Sequence, residues 1–317
     1  MLAPPSISFR ELTHADAAFA ATAQGADDPL HPKQPDELLE LWVNTERSCW
    51  TDRFQVIVDD VPAGWVSILR WREDTHGSVD VNLVVPGAGP DVLAAAIARA
   101  EAVAPAMEAR NLALQVLETN AVAVAALEAG GWTQKRRERC WRLELAPNAG
   151  RLLELRASAR PRVEASGAEL LTAAELGGIE VFPALYRVSI ATEPDIPTSV
   201  PYEPSSYEDW LVWMQPPSIL PERIWVAVVD RQPVGFSSLA FHQSLVETFY
   251  TGVLREHRNK GIARALKLET LGQAIELGVE SVETDNDSEN APILHLNHEL
   301  GYREITARLE FHKSVAG

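Results

Sequence analysis

The residues with the clearest chemical potential lie between Glu247 and Arg264. A β-rich run, Glu247 to Val253, passes through a polar turn into a segment in which Ala263, Leu266, Thr270, Ala274 and Leu277 recur at helical steps. Strand, loop and helix in that order aim the unpaired N–H groups of a helix start at an anion. Gly261 and the small Ala263 let a ligand approach the backbone closely, and Arg258, Lys260 and Arg264 add positive charge around the same turn. A diphosphate matches such a cradle. A helix start with ordinary solvated basic residues would carry the same letters, so context must decide.

The context lies downstream. Asn290 and Asn297 are seven residues apart, which puts both amides on one face of a helix. Asn286 reads equally as a ligand contact or as a loop residue capping that helix. Thr251, Gly252 and Val253, then Arg258 to Ala263, then Thr284 to Asn286, Asn290, and Asn297 to Tyr302 together resemble the acetyl-CoA site of the GNAT superfamily of N-acetyltransferases. Within it, the pattern is similar to tandem, mycothiol synthase-like acetyltransferases. The resemblance implies acetyl-CoA as co-substrate. Backbone groups of Thr251, Gly252 and Val253 would pair with pantetheine, and those of Arg258, Asn259, Lys260, Gly261, Ile262, Ala263 and Arg264 would hold the pyrophosphate. Asn286, Asn290 and Asn297 would touch the cofactor from the following segment.

Acyl transfer from a thioester to an amine needs a base, an oxyanion donor and a proton for the leaving thiolate. Glu247 is the base candidate, six residues before Val253, so that strict strand alternation puts the two side chains on one face; the resembling enzymes use a glutamate at this place, and burial would raise its pKa. A backbone N–H near Val253 would polarise the carbonyl. Where many relatives carry an acid tyrosine, this chain has Asn297, which leaves Tyr250, water or unaided departure; Tyr302 reads as core.

Other constellations fail on detail. His295, His298 and Glu299 share a helix but lack a third metal ligand at suitable spacing, so no metal is expected. Val84 to Asp91 superficially resembles a dinucleotide loop, but Asp91 would place negative charge where a pyrophosphate must lie. Cys49 and Cys140 are too few for a disulfide framework. A net charge of −17 argues against a nucleic-acid surface. The opening residues resemble no secretory leader and no apolar run spans a bilayer, so the reading is a cytoplasmic protein without a membrane partner.

What must position these residues is written twice. Arg53 to Trp65 parallels Arg223 to Phe236 as a hairpin, and Glu118 to Asn120 with Leu127 to Trp132 parallels Glu283 to Asn286 with His298 to Tyr302. The expectation is an α/β (α+β mixed sheet) protein of two tandem GNAT-like domains. A degenerate first domain covers residues 1–150, a linker 151–165, and the acetyl-CoA-binding domain 166–317. Trp210, Trp213 and Met214 are either acceptor contacts or core. The function expected is acetyl transfer to a primary amine of a small molecule, the alternatives being an acyl-CoA sensor or interaction module without turnover and an acceptor that is a peptide N-terminus.

Overall fold

A computed structural model describes residues 4–215 and 217–315. Its elements are β1 (Ile7–Glu11), α1 (Ala17–Asp27), α2 (Pro35–Ser48), β2 (Cys49–Val58), β3 (Val61–Trp71), β4 (Ser78–Val84), α3 (Pro90–Val103), β5 (Asn111–Leu117), α4 (Ala121–Ala129) and β6 (Thr133–Glu144). There follow α5 (Ala149–Ala165), β7 (Ala168–Thr172), α6 (Phe182–Thr192), α7 (Tyr207–Met214), β8 (Ile224–Val229), β9 (Gln232–Phe241), β10 (Val246–Val253), α8 (Ile262–Glu276), β11 (Ser281–Asp287), α9 (Ala291–Leu300) and β12 (Arg303–Ser314). Helices and a mixed sheet make this an α/β fold, as expected.

The chain divides into two compact units, but not at residue 150. One comprises everything up to Glu138 together with the segment from Thr306 onward; the other is Arg139–Ile305. In the first unit the strands run β1-β2-β3-β4-β5-β12, with β4 and β5 parallel and β12 antiparallel to β5 from Arg308 to Ser314. In the second they run β6-β11-β10-β9-β8-β7, with β10 and β11 parallel. Each unit thus receives a strand segment from the opposite half of the sequence. The expected linker 151–165 is helical instead. Asn148, Gly150 and Pro161 read as breakers, yet Leu152, Ala159 and Val163 form a buried stripe, and Arg156 binds Glu269 of α8 at 2.6 Å. Pro161 falls in the last turns, where that stripe outweighs its cost.

The repeat is carried by matched hairpins. Both central residues of each turn, Asp59 and Asp60 in one and Asp230 and Arg231 in the other, have positive φ. Such turns match the twist of the flanking strands. Each hairpin also has a register irregularity at the same place, between Val56 and Ile57 and between Ala227 and Val228. In the second unit, period-two alternation sends Trp225, Ala227 and Leu239 to a core under α5 and α8, and Ile224, Val226, Phe236 and Ala240 to a core under α6 and α7. Burial on both faces explains why β8 and β9 read as nearly continuous apolar runs.

Candidate active site

The site is built around an irregularity in β10. Its antiparallel register with β9 slips between Thr248 and Tyr250, leaving Phe249 as an extra residue. A bulge resets the alternation of faces. Glu247 opposite Ala240, Tyr250 opposite Ser238 and Gly252 opposite Phe236 therefore share the face of α6, while Thr248, Thr251 and Val253 take the α8 face. Strict alternation had put Glu247 with Val253. The bulge separates them and joins Glu247 to Tyr250 instead.

On its other edge β10 meets β11 at the single register pair Glu247↔Glu283. The pairing goes no further along β10, whose last carbonyl, Val253 O, accepts from Arg258 Nε. On the α6 face His242 Nε2 lies 3.1 Å from Glu247 Oε1, and the Glu247 side chain remains 36% exposed. Tyr250 stacks on Phe236 at 4.3 Å between ring centroids, and its hydroxyl is hydrogen-bonded to that of Thr192 at the end of α6. Burial pushes the phenol up to about 12, the Thr192 bond opposing it. Close by, the carboxylate of Glu193 accepts from Ser189 and, at 2.8 Å, from Tyr202, while Trp210 Nε1 donates to Ser189 Oγ at 3.1 Å. Trp210 and Met214 are buried core, and Trp213 is half-buried.

The loop after β10 has the shape that the sequence suggests. Asn259 (φ 61°) and Gly261 (φ 78°) both adopt left-handed backbone, and α8 starts at Ile262, with Ala265 N–H making the first bond back to Gly261 at 3.0 Å. The N–H groups of Ile262, Ala263 and Arg264 precede that bond, so the intrahelical ladder does not use them. A Cβ on Gly261 would meet nothing within 4 Å, so the approach to these groups is open. The cations behave otherwise than expected. Arg258 turns back, Nε donating to Val253 O at 2.8 Å and Nη2 to Asp195 at 2.5 Å, and Arg264 Nε binds Glu299 at 2.8 Å. Lys260 is exposed.

The asparagines do not form one face of α9. Asn290 flanks the helix as its N-cap, without a side-chain capping bond, whereas Asn297 is fully buried and donates to Asn286 Oδ1 at 2.5 Å. Asn286 belongs to β11 and so is not a loop cap. Thr251 bonds Ser237 at 2.8 Å through its hydroxyl, and the Val253 side chain is buried in the core. Tyr302 is buried, as its reading as core implied; next to it, Lys267 of α8 is 1% exposed and stands over the Tyr302 ring at 5.3 Å. His298 packs edge-on against Trp141, and Cys49 and Cys140 are buried. Among the described residues no group of three or more His, Cys, Asp or Glu is placed to hold a metal, and no helix is long and apolar enough to cross a membrane.

His242, Thr192, Glu193, Asp195 and Tyr202 escaped the sequence reading. His242 had a weak signal, a polar residue between two strands just ahead of Glu247. Thr192 and Asp195 lie about sixty residues from the strand and loop they meet, and no spacing rule joins them to Glu193 and Tyr202.

Comparison with known proteins agrees with this geometry. The acetyltransferase (GNAT) family model matches residues 184–302. No curated protein sequence matches the chain. Among solved structures, a GCN5-related N-acetyltransferase from Sphaerobacter thermophilus superposes with a TM-score of 0.72 at 18% identity, covering 98% of this chain and 96% of that one. A tandem GNAT protein from the clavulanic acid biosynthesis pathway gives 0.73 at 17% identity, covering 98% and 99%. A GCN5-related N-acetyltransferase from Kribbella flavida gives 0.53 at 17%, covering 95% and 97%. Residues 184–302 are thus a GNAT acetyltransferase-family region, in a chain whose two units have the tandem GNAT fold.

Proposed function

We propose that the chain transfers an acetyl group from acetyl-CoA to a primary amine of a small molecule by direct attack. The observation that carries this reading is the end of the β10–β11 pairing at Glu247↔Glu283, directly ahead of a helix start with left-handed Gly261 and open space at its Cβ position. The residues present fit the co-substrate. Backbone groups of Thr251, Gly252 and Val253 would hold pantetheine, at Val253 through its N–H since its carbonyl is bound by Arg258, and the N–H groups of the Arg258–Arg264 segment the diphosphate. In this role Arg258 shapes the loop rather than touching the phosphates. Asn290, beside the opening of α9, remains a contact candidate. Asn297 Nδ2 donates to Asn286 Oδ1, and the part of this bond is to fix α9 on β11.

When bound, acetyl-CoA supplies an acyl carbon open to attack and a thiolate able to leave. Glu247 removes the proton from the acceptor nitrogen, directly or through water, with His242 orienting its carboxylate. The N–H of Val253 polarises the acyl oxygen. Tyr250, kept protonated by burial and now on the face of Glu247, donates to the departing sulfur. A sensor without turnover would need only the cradle; His242, Glu247 and Tyr250 gathered on one face favour catalysis. The test is calorimetric titration of acetyl-CoA into the wild type and Gly261→Glu, which sets a carboxylate in the cradle, followed by thiol release with a panel of primary amines and peptide N-termini. Micromolar binding lost in Gly261→Glu, and amine-dependent thiol release lost in Glu247→Gln, are expected. A wild type that does not bind acetyl-CoA sinks the proposal.

A further inference from the structure

Asp195 sits in the turn that follows α6, and its carboxylate is held by two arginines of the loop after β10. Arg255 binds both carboxylate oxygens, with Nε 3.1 Å from Oδ2, and Arg258 Nη2 reaches the same Oδ2 at 2.5 Å. Arg258 at the same time donates Nε to Val253 O at 2.8 Å. One guanidinium thus ties the last carbonyl of β10 to the segment that carries Glu193 and Tyr202. The two arginines hold the Asp195 carboxyl down to about 2, so the brace stays charged through the physiological range.

Resting on the cradle reading of residues 258–264, we propose that Asp195 is a positioning residue that couples the cofactor loop to the 193–206 segment on the α6 face. The left-handed Asn259 and Gly261 aim the loop N–H groups only if the chain enters them from a fixed direction, and that direction is set at Arg258. The Arg258 fork spans its two acceptors because it is planar, and a lysine cannot do the same. Binding that tightens the loop therefore also orders the segment that holds Glu193 and Tyr202 near Tyr250.

Electrostatics alone predicts the opposite sign, which makes the idea testable. Removing a carboxylate beside a cradle for a highly anionic ligand, and freeing two arginines, should strengthen binding. The experiment titrates acetyl-CoA into wild type, Asp195→Asn, Arg258→Lys, Arg258→Gln and the Asp195→Asn/Arg258→Gln double variant, and follows amide hydrogen exchange over residues 193–206. Coupling predicts about five- to tenfold weaker binding in Asp195→Asn and in the charge-conserving Arg258→Lys. The cost of Asp195→Asn should fall below about twofold in the Arg258→Gln background. Acetyl-CoA should slow exchange over residues 193–206 in the wild type and not in Asp195→Asn. Equal or tighter binding by Asp195→Asn, or protection that persists in it, overturns the proposal while the cradle stands. A wild type without acetyl-CoA binding removes the cradle and the coupling together.

Discussion

At the scale of single residues, Gly252 and Tyr250 form one unit. A Cβ on Gly252 would overlap the Tyr250 hydroxyl and lie 2.8 Å from Thr192 Oγ1, so the phenol keeps its place over the strand only because residue 252 has no side chain. Gly252→Ala should displace the ring, cost about 1–3 kcal/mol in denaturant unfolding and lower kcat/KM for acetyl transfer at least tenfold. Tyr250→Phe in the same background should recover part of the stability, because the clashing oxygen is gone, but none of the activity. Recovery of both would show that the hydroxyl has no part in transfer. The pH dependence is fixed by the same burial. With its pKa raised to about 12, Tyr250 stays protonated across the working range, so it should produce no alkaline loss of kcat/KM below about pH 11. An alkaline limb near pH 9 that Tyr250→Phe abolishes would contradict this. Folded-state preference for the neutral phenol also means that its stabilising contribution is complete below pH 10 and is lost as pH rises toward 12.

At the scale of elements, the sequence carried the strand, the turn through Gly261 and α8 but not the bulge. Alternation is legible from letters; an extra residue in a ladder is not, because Thr248, Phe249 and Tyr250 would each suit an unbroken strand equally well. The error passed directly to the site, pairing Glu247 with Val253 rather than with Tyr250. Helix α9 shows a second limit. A seven-residue spacing fixes a common face only inside a helix, and Asn290 is its flanking cap. In α8, Lys267 is buried over the Tyr302 ring, its amine without a hydrogen-bond partner. Burial lowers its pKa from 10.5 to about 8. The folded state therefore releases this proton more readily than the unfolded chain, so stability should rise between pH 8 and 10.5, and the penalty should be complete below that window. Lys267→Met should stabilise the protein at pH 7 by about 2 kcal/mol and flatten this rise. Calorimetric unfolding across that window decides it, and a variant less stable than the wild type at pH 7 refutes it.

At the scale of the whole molecule, the tandem repeat was legible because hairpins and glycine-ended helices write themselves twice, whereas the exchange of closing strands was not. Local patterns identify β6 and β12 as strands and are silent on which partner each will take, since pairing depends on contacts nearly two hundred residues apart. In the fold, Arg139–Glu144 counts with the second unit, and the segment from Thr306 onward counts with the first. Phe311 is buried in the first unit's core, Leu309 packs against that core, Lys313 binds Glu101 at 2.7 Å, and the run Arg308–Ser314 completes β5. Cutting the chain at residue 150 therefore yields no half with its complete sheet. Fragment 1–150 lacks the strand that covers β5, and fragment 151–317 lacks Trp141 and Leu143, which belong to the second core. Loss of Phe311 alone removes about 3–5 kcal/mol, a large share of what a domain this size holds in reserve, and an uncovered β5 edge invites aggregation. Deleting residues 306–317 should consequently unfold the first unit, although the deletion lies at the far end of the sequence from it. Both fragments should be poorly dispersed in amide NMR spectra when alone and regain dispersion when mixed or co-expressed, because each then recovers its missing strand. A well-dispersed spectrum from isolated 1–150 would show that the exchanged strand is dispensable.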